Sequence, residues 1–103
     1  MKKKFGEYLS YGDLSLIVSG VWEMAIEEGK HYSLYVMLKD VPSPEWFLDS
    51  DDVSVIVSGL DDYIYNLRVG KLRRDAYYGN EKQAVDRMHT LQNLFRYWED
   101  DNK

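Results

Sequence analysis

The sequence predicts a small α+β domain: an antiparallel, or mixed, sheet of about four strands, a long amphipathic C-terminal helix packed on one face, and one shorter helix. Three observations lead there. Two nine-residue segments are nearly the same and alternate like strands, a third run alternates through a glycine turn, and the end of the chain carries a helical apolar stripe. At 103 residues, 45% hydrophobic and 30% charged, the chain has room for one domain over 1–103 and the composition of an ordinary globular protein.

The near-repeat is Asp13-Leu14-Ser15-Leu16-Ile17-Val18-Ser19-Gly20-Val21 against Asp52-Val53-Ser54-Val55-Ile56-Val57-Ser58-Gly59-Leu60, with six of nine positions identical and three aliphatic exchanges. In each copy aliphatics alternate with Ser, Ile and Ser, the period-2 signature of a strand with one fully apolar face. Two adjacent strands in one sheet are expected, by convergence or by duplication. After the first copy, Trp22, Met24 and Ile26 alternate with Glu23, Ala25 and Glu27, and Tyr32, Leu34, Val36 and Leu38 continue beyond Glu28-Gly29-Lys30. This predicts a hairpin; a short helix over 20–28 capped by Gly29 is the competing reading.

Ser43-Pro44-Glu45 reads as one helical turn carrying Trp46, Phe47 and Leu48 onto the sheet edge, with exposure of Trp46 and Phe47 as the alternative. Ser58 caps a helix in which Leu60, Ile64 and Leu67 share a face, although Tyr63, Tyr65 and Leu67 also alternate as on a strand. The stretch 71–78 reads as a loop or a frayed helical end. Asn80 and Gln83 open the last helix, whose Ala84, Met88, Leu91, Leu94, Phe95 and Trp98 form one stripe. It ends in Glu99-Asp100-Asp101, against the preference of a helix C-terminus for cations.

Several chemistries lack their residues. With no cysteine there is no disulfide, thiolate nucleophile or cysteine zinc site, in keeping with a reducing, cytoplasmic setting. No apolar run reaches signal-peptide or membrane-span length. No phosphate-binding glycine loop occurs, His31 and His89 have no metal-ligand spacing, and Asp49-Ser50-Asp51-Asp52 fails as a calcium loop at Val53, Ser54 and Leu60. No nucleophile motif is present, so neither catalysis nor a cofactor is expected.

Charge is the remaining signal. The net charge is −5, and residues 39–67 carry Lys39 against Asp40, Glu45, Asp49, Asp51, Asp52, Asp61 and Asp62, a local −6. Such a block is attracted to basic surfaces and disfavours nucleic acid and anionic membranes. With nine tyrosines and three tryptophans beyond what one small core needs, the expected class is an acidic protein-binding module, an inhibitor or neutraliser covering a basic site on another protein. Bacterial immunity proteins and phage anti-defence proteins share this size and charge, an analogy and nothing more. Asp49, Asp51, Asp52, Asp61 and Asp62 would supply charge, and Trp46, Phe47, Tyr63 and Tyr65 the anchors. Two alternatives stand beside it. Arg68, Lys71, Arg73, Arg74, Tyr77 and Tyr78 join cations to stacking rings, as a nucleic-acid surface does; or the helix stripe or a sheet edge, such as a strand over 53–58 left open, would pair with a second copy in a structural homo-oligomer.

Overall fold

The computed structural model describes residues 2–69 and 81–101, and they form four helices and one small ribbon. In chain order these are β1 (Lys3–Lys4), α1 (Tyr11–Glu28), α2 (Tyr32–Asp40), a 3-10 turn (Ser43–Glu45), β2 (Phe47–Leu48), α3 (Ser50–Arg68) and α4 (Glu81–Asp101). The ribbon is antiparallel, with Lys3 opposite Leu48 and Lys4 opposite Phe47. The four-stranded sheet expected from the sequence is therefore wrong. Both copies of the near-repeat, and both arms of the expected hairpin, lie in helices.

The physical reason lies in windows longer than nine residues. Leu16, Ile17, Gly20, Val21, Met24 and Ala25 are buried positions of α1, and Val53, Ile56, Gly59, Leu60, Tyr63, Ile64 and Leu67 those of α3. Both sets recur at three- and four-residue intervals, the period of a helix that covers a core. The valines and serines that imitate alternation are shared between this buried stripe and its margins.

Caps fix where the helices begin. Ser10 precedes α1 and its hydroxyl accepts from the Asp13 amide at 3.2 Å. Asp49 precedes α3 in a reciprocal capping box: its carboxylate accepts from the Asp52 amide at 2.8 Å, and the Asp52 carboxylate accepts from the Asp49 amide at 3.1 Å. Ser58, expected as the cap, lies inside α3. Gly29 ends α1 in the left-handed region, φ 65°, with its amide donating to the Ala25 carbonyl. The competing reading of a helix capped by Gly29 is thus the right one for 20–28, and the helix extends back to Tyr11.

The repeat marks where α1 and α3 touch. A Cβ on Gly20 would stand 2.8 Å from the carbonyl carbon and oxygen of Gly59, and one on Gly59 would stand 2.9 Å from the same atoms of Gly20. Equivalent atoms meet equivalent atoms, as around a local two-fold axis. The shared Asp and Gly therefore serve one pattern used twice: a helix start with aspartate as its third residue, and a backbone crossing seven residues later.

Around this crossing α2 packs on α1, and α4 on α3. Trp46 is wholly buried and its indole N–H donates to the Val41 carbonyl at 2.7 Å. Phe5 stacks on Trp46 at 5.7 Å and on Phe95 at 4.9 Å, and meets Trp98 edge-on at 5.6 Å. These rings bind the ribbon and the 3-10 turn to α4. The stripe expected on the last helix holds, with Ala84, Met88, Leu91 and Phe95 buried and Leu94 and Trp98 packed beside them. The expected Asn80 cap and the loop at 71–78 lie outside the described residues.

Candidate functional site

The nine residues expected at a partner surface separate into three groups and Phe47, which stands apart. Trp46 and Tyr63, 0% and 3% exposed, belong to the core and cannot anchor a partner. Asp49, Asp51 and Asp52 sit at the start of α3, where carboxylates offset the positive end of the helix dipole. Hydrogen bonding from the Asp52 amide is the main reason that Asp49 lies below the usual carboxylate range. Asp52 also pairs with Lys2 at 3.4 Å. Two of these three acids thus act in the cap. Phe47 projects from β2, 53% exposed, beside a groove of about 470 Å³ that Leu34, Met37 and Val41 also line.

Asp61, Asp62 and Tyr65 form the third group, farther along α3. Ten residues of helix put Asp61 about 15 Å from Asp51, so the acidic block of the sequence becomes two separate surfaces. Asp61 accepts from Gln92 Nε2 at 2.6 Å, and the same nitrogen donates to the Val57 carbonyl at 3.0 Å. Tyr65 is 62% exposed, one turn beyond Asp61.

Asp62 faces the end of α1. Its carboxyl is pushed above the ordinary aspartate value, first by partial burial and then by the charges of Glu27, Glu28 and Asp61. Among the described residues no ion pair joins Asp62 or Glu27 to a cation, while Glu28 lies 3.5 Å from His31 Nε2. Glu27 and Glu28 are absent from the expected partner surface, because they fall outside the acidic block of the sequence. Only a helical reading of 11–28 brings them to Asp62.

An apolar strip adjoins this acidic one. Trp22 meets the ring of Tyr32 at 6.0 Å and that of Tyr35 at 4.8 Å, and Tyr32 meets Tyr35 at 5.7 Å. Ile26 and Tyr32 are 58% and 57% exposed. Lys39 lies 5.7 Å above the Tyr35 ring. The hairpin expected over this stretch gives it no role at a site.

Arg68, the first residue of the nucleic-acid alternative, is exposed in the last turn of α3. Lys71, Arg73, Arg74, Tyr77 and Tyr78 lie outside the described residues. The open strand edge over 53–58, one of the two expected routes to self-association, does not exist because the segment is helical. Among the described residues no group of three or more His, Asp or Glu side chains is placed to hold a metal ion, and no helix is long and apolar enough to cross a membrane. No family model, curated protein or solved structure matches the chain.

Proposed function

We propose that the protein is a non-catalytic acidic binding module that covers a basic site on another protein, as an inhibitor or neutraliser does. The observation that supports this reading is that Asp62 of α3 lies within Coulombic range of Glu27 and Glu28 at the end of α1, where partial burial and the neighbouring charges both raise it. Like charges held close together oppose ionisation and cost the free protein stability. A cationic partner removes that cost, so the same crowding favours association and raises its rate. Of the acids expected from the sequence, Asp62 carries this role, joined by Glu27 and Glu28; Asp49 and Asp52 serve the cap of α3, and Asp61 accepts from Gln92 of α4.

The test is capture from host lysate by the immobilised protein, side by side with a Glu27→Gln/Glu28→Gln/Asp62→Asn variant of unchanged circular dichroism. The expected result is a basic protein held at low salt by the parent, released at high salt and absent from the variant. Equal retention of the same protein by the variant would refute the assignment of the site. A parent column that retains no basic protein at low salt would refute the reading itself.

A further inference from the structure

Resting on the acidic-face reading, we infer that the partner presents an amphipathic basic helix, its apolar row against Trp22, Ile26 and Tyr32 and its cationic row against Glu23, Glu27 and Asp62. On α1, Trp22 and Ile26 are one turn apart, and so are Glu23 and Glu27. The two rows lie about 100° apart around the helix and run parallel along it, each with a rise of about 6 Å. The flanking helices widen each row on its own side. Tyr32 of α2 extends the apolar row through its ring contact with Trp22. Asp62 of α3 extends the acidic row, within Coulombic range of Glu27.

The charge pattern and the spacing together select the occupant. A helix that carries leucine-like residues at intervals of three and four, with lysine or arginine in the adjacent row, matches both strips at the same one-turn repeat. A strand points successive side chains to opposite faces and cannot offer two adjacent rows of this kind. A basic loop would meet the acidic row alone and leave Ile26 and Tyr32 exposed, each by more than half.

The experiment uses the whole protein and two labelled synthetic peptides of about 18 residues, five turns of helix. Both contain the same leucines and lysines, ordered in one as adjacent helical rows and scrambled in the other. Fluorescence anisotropy at about 50 mM salt, where exposed charges are weakly screened, reads binding. The ordered peptide is expected to bind roughly tenfold more tightly than the scrambled one. Ile26→Ser and Tyr32→Ser, both at exposed positions, should each remove much of that difference, and Glu27→Gln/Asp62→Asn should weaken both peptides and flatten their salt dependence. Equal binding of the two peptides, still lost in the charge variant, would overturn the helical occupant and leave the acidic face standing. Binding that ignores the charge variant would overturn both.

Discussion

Replacing Gly59 with alanine puts a methyl carbon where α1 already runs. That carbon would stand 2.9 Å from the Gly20 carbonyl carbon and oxygen and 3.1 Å from the Val21 nitrogen, whereas ordinary contact begins near 3.4 Å. The difference, 3.4 minus 2.9, asks the helices to separate by about 0.5 Å, and the obstructing atoms are backbone that no rotamer change can move aside. Overpacking of this kind costs about 2–3 kcal/mol in a close-packed core. Alanine returns about 1 kcal/mol through its better helix propensity, leaving a net loss of about 1–2 kcal/mol. Urea unfolding followed by circular dichroism should show a lower midpoint at unchanged slope. Because the contact is reciprocal, Gly20→Ala should lose about as much, and the double variant less than the sum, since one separation admits both methyls. If Gly59→Ala is neutral, or is stabilised by the propensity gain, the glycines do not meet and the packing of α1 on α3 is wrong.

Arg87 donates through Nε and Nη2 to both oxygens of Asp13, at 2.6 and 2.5 Å, and that carboxylate is 1% exposed. Arg87→Leu should cost about 2–3 kcal/mol in urea unfolding, below the full penalty of a buried pair because the arginine side chain is 43% exposed. A loss under the scatter of the measurement would mean that the pair is not formed. Asp49→Ala removes a helix cap and should cost about 1 kcal/mol at neutral pH. The Asp49 carboxyl titrates below its unfolded value of 3.8 in the fold, so its contribution is full above that value and fades as pH falls through the lower one; a variant deficit that persists unchanged in acid would contradict this. Asp62→Asn should raise the melting temperature at pH 7. The Asp62 carboxyl titrates above 3.8 in the fold, so its ionised form is destabilising there, and the variant's gain should shrink as pH falls through the raised value toward 3.8. A gain that is the same at both ends of that range would not come from the carboxyl.

The last helix is legible in the sequence because one stripe, from Ala84 to Trp98, has no competing period. The first and third helices are not, because Val, Ile and Ser at alternate positions satisfy a strand over nine residues and a helix only over a longer window. The neighbouring pairs Met24–Ala25 and Tyr63–Ile64 decide between the two, because both members of each are buried on one helix face, whereas alternation would send them to opposite faces of a strand. The glycines read as turn signals when a short segment ends on them; at 20 and 59 they permit two backbones to touch. The same misassignment hides part of the site. Asp61, Asp62 and Tyr65 are visible as acids and an aromatic, whereas Glu27 joins them only when 11–28 is one helix. Trp46 resembles an anchor because it stands next to a second aromatic, Phe47, and among acids in the sequence, yet its indole N–H has a backbone acceptor inside the core.

The most direct measurement is an NMR titration of the Asp62 side-chain carboxyl, in the parent and in Glu27→Gln/Glu28→Gln. The proposed face requires that Asp62 titrate above 3.8 in the parent and move back toward it in the variant, by less than the whole shift because partial burial remains. An Asp62 that titrates at or below 3.8, or does not respond to the two glutamines, would mean that the carboxylates of α1 and α3 do not converge and that the protein has no such acidic face.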